Sequence, residues 1–227
     1  MSKQGVLLFH KRRPIYGVGI NDADYSTEVK ELTSYINGKQ TYKVIWKCPF
    51  KATWDAMIKR CYCSKTKIRQ NCYEDVICCK EWLTFSNFKS WMEQQEWEGK
   101  YLDKDLLKAN NKIYSPDSCV FVTRKVNNFL LKADKRRGPD PLGVSWHKHH
   151  NAFQARVCSC LEDKSKLLFL GYHETPESAH RAWQRAKIKI GLDLKEQQTD
   201  PRVAQGLQRV IDKIQYDLDN NLITEDF

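Results

Sequence analysis

Ala152-Phe153-Gln154-Ala155-Arg156-Val157-Cys158 alternates apolar and polar residues with a period of two, the pattern of a half-buried strand. Phe153, Ala155 and Val157 are expected to face inward, and Gln154, Arg156 and Cys158 outward. Upstream, Leu142-Gly143-Val144-Ser145-Trp146-His147 reads as a short strand ending in a polar turn at 148–151. Downstream, Lys166-Leu167-Leu168-Phe169-Leu170-Gly171 reads as a third strand. Thr175-Pro176-Glu177-Ser178 then opens a helix, with a Thr cap, a Pro in the first turn and an acid at the positive end. Ala179, Ala182, Trp183 and Ala186 follow at helical spacing, and the small alanines let that helix lie close on the sheet. The expectation is a small three-stranded antiparallel sheet with a helix on one face and the other face open.

An open, polar sheet face has two readings. It can simply meet water, or it can lie in a DNA groove with alternate side chains on base edges and phosphates. Gln154 is suited to adenine, Arg156 to guanine, and Lys148 and Lys166 to phosphates. The chain has 227 residues and a formal charge of +10, which favours a polyanion partner because basic side chains release counterions from phosphates.

The run Gly143-Val144-Ser145-Trp146, Phe153-Gln154-Ala155-Arg156-Val157, Leu170-Gly171-Tyr172, Thr175-Pro176-Glu177 and Ser178-Ala179 resembles the plant ethylene-response-factor (APETALA-type) DNA-binding domain. That resemblance implies double-stranded DNA as partner, with contacts from the strands at Ser145, His147, Gln154, Arg156 and Cys158. Ser145, Arg156 and Cys158 depart from the residues usual at those positions in the plant domains.

A second resemblance lies upstream. Leu102-Asp103-Lys104-Asp105, then Ser115-Pro116-Asp117-Ser118-Cys119-Val120-Phe121-Val122, then Val126-Asn127, is similar to the ββα-metal core of HNH homing endonucleases. Trp54 through Tyr62, Glu81-Trp82 and Phe85 through Phe88 extend the likeness to a group of tailed-phage HNH-like endonucleases. The resemblance implies a divalent metal, magnesium by the oxygen chemistry of its ligands, held by Asp103 and Asn127, with Asp105 beside them if 102–105 is a strand. It also implies metal-dependent phosphodiester hydrolysis. Lys104 stands where the family has its general-base histidine. A lysine of ordinary pKa about 10.4 is charged at neutral pH and cannot accept a proton, so Lys104 is expected either to have its pKa depressed by desolvation or a metal, or to contact the scissile phosphate instead. Cys119 takes the place of the family's middle Asn.

The expected fold class is α+β: a ββα-metal (HNH-like) core, the small three-stranded sheet-plus-helix domain and a C-terminal helix. The boundaries read as an N-terminal segment over 1–45 without a role, an HNH-like domain over 46–131, a charged, Pro-broken linker over 132–141, the APETALA-type domain over 142–193, and a helix with acidic tail over 194–227. Trp54, Met57, Ile58 and Cys61 mark one helix face, and Phe85, Phe88, Trp91 and Met92 mark another in a helix expected over 84–97 with Ser86 as a cap. Val203, Leu207, Val210, Ile211, Ile214 and Leu218 form a stripe that either packs on the body or joins two copies into a homodimer.

The chain carries nine cysteines, an odd number that argues against a disulfide framework. Cys48, Cys61, Cys63, Cys72, Cys78 and Cys79 lack the paired C-x(2–4)-C knuckles of structural zinc, which argues against that metal. No run reaches the length of a membrane span, and the apolar stretch at 6–9 is too short for a signal sequence, so the expected compartment is the cytoplasm. The sequence thus points to a phage-type HNH-like endonuclease or, because of the missing histidine, to a non-catalytic, sequence-specific DNA-binding or regulatory protein on the same fold.

Overall fold

The computed structural model describes residues 13–69, 73–131, 138–160 and 166–227, and within them the chain is α+β. It divides into two compact units, one of residues up to Gln95 with Lys112–Asp117, the other of Glu96–Asn111 with Ser118–Phe227. This differs from the expected division. The 132–141 boundary falls inside the second unit (132–137 lie outside the described residues), and the stretch expected to form one HNH-like domain contributes to both units.

In the first unit, β1 (Glu28–Ile36) and β2 (Lys39–Lys47) pair antiparallel. They are joined at Asn37-Gly38, where both residues have positive φ (51° and 76°), the backbone a two-residue hairpin turn needs. Helix α1 (Pro49–Tyr62) starts at its proline and buries Trp54, Met57, Ile58 and Cys61, the expected face. A short α2 (Ser64–Arg69) follows, and β3 (Ile77–Cys78) pairs parallel with β5 (Ile113–Tyr114). Helix α3 (Phe85–Met92) is shorter than expected, because 93–96 supply no apolar residue to continue its buried face. Ser86 is not its cap. The Asp22 carboxylate takes that part, accepting from Ser86 N–H at 2.9 Å and Ser86 Oγ at 2.5 Å. Trp54 Nε1 donates to the Trp82 carbonyl at 2.7 Å, and Trp82 meets Phe88 edge-on at 5.1 Å. The two helices are thereby joined through a buried aromatic core.

In the second unit, β4 (Tyr101–Asp103) pairs antiparallel with β6 (Val120–Val122), and α4 (Arg124–Leu130) follows, its N-terminus capped by Thr123 Oγ1 at 3.3 Å from Val126 N. The order is strand, strand, helix. A three-stranded antiparallel sheet is built in the order β7 (Val144–His147), β8 (Ala152–Cys158), β9 (Leu167–His173). Helix α5 (Pro176–Glu196), capped by Thr175, covers one face, and α6 (Pro201–Asp219), capped by Asp200, lies against α5. One core unites these pieces: Val122, Val126 and Phe129 pack in the same cluster as Val157, Trp183 and Leu207. Each such side chain contributes roughly 1.5–3 kcal/mol of burial.

Helix α6 buries Val203, Leu207, Val210, Ile211 and Ile214 of the expected stripe within this unit and leaves Leu218 half-buried. Gly143, at φ +76°, lies where any Cβ would come 1.9 Å from Trp183 Cδ1, which explains its place at the start of β7. Among the described residues no helix is long and apolar enough to cross a membrane.

Candidate nucleic-acid interface

Register places the open face of the β7–β8–β9 sheet residue by residue. Val144, Ala155 and Gly171 share one row, and Val144 and Ala155 are buried with Ala179 of α5, so this row faces the helix. The neighbouring row, Ser145, Gln154 and Tyr172, therefore faces away from it, as do His147 and the Arg156–Phe169 pair. Ser145, Lys148, Arg156 and Lys166 are exposed, and His147 is half-buried.

Gln154 departs from the expected free outward residue. It is 8% exposed, and its amide nitrogen donates to Ser145 Oγ at 3.0 Å while Oε1 is buried without a partner among the described residues. Reversing the amide would only exchange which end is satisfied. Cys158 departs further. Its thiol lies 2.8 Å from Cys160 Sγ, and the side chain packs against the unit's core, so it is withdrawn from the open face.

Three rings that the residue pattern did not single out complete the surface. Tyr172 stacks on His150 at 4.2 Å between centroids, meets Phe169 edge-on at 4.9 Å and His147 edge-on at 5.3 Å. Strict alternation along β9 puts Phe169 and Tyr172 on opposite faces. A bulge between Ala155 and Arg156 in the register leaves Leu170 as an extra residue in β9, and it packs inward against the core. The bulge brings both rings to the open side. A Leu-Gly-aromatic run is its only trace in the sequence.

The acidic turn at 103–106 is arranged differently from the expectation. Strand β4 ends at Asp103, so Asp105 lies beyond it in a bend and does not share a strand face with Asp103. Asp103 Oδ1 accepts from Asp105 N at 2.9 Å and Leu106 N at 2.7 Å, holding the turn closed. Burial pushes the Asp103 carboxyl above the usual range against the pull of those two N–H groups. Lys104 is buried, and its Nζ donates to Asp105 Oδ1 at 2.5 Å and to the Asn111 carbonyl at 2.8 Å.

A further cation, missed in the sequence because it lies on α6, closes the turn from the other side. Arg209 donates to the carbonyls of Asp105 (3.3 Å) and Leu106 (3.1 Å), and burial lowers its pKa against the pull of Asp105 and Asp103. Asn127 is half-buried on α4, which packs against β4 and β6. Cys119 is buried just before β6.

Cys48, Cys61, Cys63, Cys78 and Cys79 are free thiols, and Cys72 lies outside the described residues. Among the described residues, no group of three or more His, Cys, Asp or Glu is placed to hold a metal ion. The chain matches no protein-family description, no curated protein and no solved structure.

Proposed function

We propose that the chain binds DNA through the open face of the β7–β8–β9 sheet and acts as a binding or regulatory protein. The observation that carries this reading is the face itself. With α5 packed on the other side, Arg156 is exposed at its centre, Lys148 and Lys166 lie at its margins, and His147 and Tyr172 stand between them. A cationic, ring-bearing sheet face fits a phosphate backbone and bases, and the charge of +10 acts in the same direction. The test is a salt series with labelled DNA. Arg156→Glu combined with Lys148→Glu is expected to weaken binding on every sequence and to flatten the slope of log K against log salt by about one per charge removed. Unchanged affinity and slope would count against this face.

Divalent-metal-dependent strand cleavage is a second reading, favoured by the β4–β6–α4 order with Asp103 at the end of β4 and Asn127 on α4. The residues as arranged do not fit a metal: one Asp103 oxygen closes a turn, and Lys104 and Arg209 already bring two positive charges to Asp105 and its neighbours. Plasmid nicking that requires magnesium and is lost in both Asp103→Ala and Asn127→Ala would establish the second reading over the first.

A further inference from the structure

We infer that the open face of the β7–β8–β9 sheet takes a nucleic-acid strand with unpaired bases, which it holds by stacking. This rests on the nucleic-acid reading above and specifies its ligand. In a duplex each base covers its neighbours' faces and offers only its edges in the groove. The middle of this sheet offers few groups for an edge. Gln154 is sunk to 8% exposure, and Cys158 is turned into the core.

What the face presents outward is ring surface. Phe169 is 53% and Tyr172 42% exposed, and with His150 and His147 they form one contiguous aromatic cluster. Rings left in water on a sheet whose other side is packed are suited to the flat faces of bases, and stacking of this kind accepts any base.

A second observation points to the same ligand. Gln154 lies in the row of Ser145 and Tyr172, more than nine-tenths buried, with one end of its amide unpartnered among the described residues. Leaving such a group unmade is costly. An edge fixed by base pairing at groove depth stays above this amide, whereas an unpaired base stacked on Tyr172 is free to tilt an amino or carbonyl group of its Watson–Crick edge down to it. Arg156, paired with Phe169 across the strands, stands beside the rings where a strand's phosphates would run. The bases and the backbone thus each meet a matching group on one surface.

The experiment is fluorescence anisotropy of the full chain with a labelled mixed-sequence DNA strand, the same strand annealed to its complement, and the RNA strand of the same sequence, at one salt concentration. Either single strand should bind about tenfold or more tightly than the duplex, and Tyr172→Ala and Phe169→Ala should each weaken single-strand binding by roughly tenfold, the loss of one stacked base. Tyr172→Phe keeps the ring and should keep the affinity. Phe169→Ala, at the more exposed site, serves if Tyr172→Ala fails to fold. Duplex bound as tightly as the single strands, or alanine variants that bind them normally, would overturn the stacking inference and leave the DNA-binding reading standing. Binding to none of the three would overturn both.

Discussion

Lys104 and Asn111 bond each other twice: Lys104 Nζ donates to the Asn111 carbonyl at 2.8 Å, and Asn111 Nδ2 donates to the Lys104 carbonyl at 2.8 Å. With Asp105 as its second partner, the ammonium is a fastener of the loop that follows β4. Lys104→Met should therefore act on stability. It leaves the buried Asn111 carbonyl short of a donor, at a cost of about 1–3 kcal/mol. Urea unfolding followed by fluorescence measures this directly, and a variant as stable as the wild type would show the fastener to be idle. Lys104→His, which introduces the residue type of the HNH pattern, should lose stability in the same way and gain no plasmid nicking.

Gly143 carries a sharper constraint. Its φ of +76° is unfavourable for an L side chain, and an added Cβ would lie 1.9 Å from Trp183 Cδ1 and 2.4 Å from Cγ. Trp183 belongs to the core that unites α4, β8, α5 and α6, so it has little room to retreat. Gly143→Ala should cost roughly 2–5 kcal/mol, the sum of backbone strain and overpacking. Thermal unfolding checks it, with Gly138→Ala, where a Cβ meets open space, as the neutral comparison.

Which parts of this arrangement the residues announce follows from how local their signals are. The period-two run at 152–158, the Thr175-Pro176 and Asp200-Pro201 helix starts and the apolar face of α1 depend on neighbours in sequence, and they stand where expected. The joined core does not follow from local pattern. Val126 and Phe129 reach Trp183 and Leu207 across a stretch whose charge and prolines read as a linker. Of the β1–β2 hairpin, only 42–46 reads as a strand, from its aromatic and β-branched residues; β1 and the pairing hid because every residue of β2 is exposed, which removes the alternation that marks a strand, although Asn37-Gly38 is a hairpin signal in itself. At the candidate interface, Arg156 was legible from alternation alone. Phe169 and Tyr172 were hidden by a one-residue bulge, and Arg209 by about a hundred residues of separation from the turn it closes.

Cys63 should be the first thiol to react. Hydrogen bonds from the Thr66 hydroxyl and the Thr66 N–H hold its pKa below the usual thiol value, whereas burial pushes the Cys79 thiol up to about 11 and the Cys160 thiol up to about 12. Brief iodoacetamide treatment near neutral pH, followed by peptide mass mapping, should find Cys63 alkylated ahead of the other described cysteines. Thr66→Val, which removes the hydroxyl, should slow that reaction at neutral pH and leave it little changed at high pH. Equal labelling of Cys63 and Cys79 would contradict the assignment.

Lys187 makes stability depend on pH in a predictable direction. Its ammonium donates to the Phe129 carbonyl and lies 4.1 Å from the Phe129 ring centre, at 3% exposure. Burial lowers its pKa from 10.5 to about 8, against the pull of Cys160 and Cys158. Between those two values the unfolded chain holds a proton on this side chain that the folded chain has released, so folding gains stability as pH rises through the window. Below pH 8 both states are protonated and the dependence disappears. The gain should approach about 1 kcal/mol per pH unit within the window. Other lysines, tyrosines and thiols titrate there too, so the quantity to measure is the difference in unfolding free energy between wild type and Lys187→Met at pH 7, 8, 9 and 10. That difference should be flat from 7 to 8 and move in favour of the wild type from 8 to 10, and a difference that stayed constant throughout would mean that the buried ammonium keeps its proton.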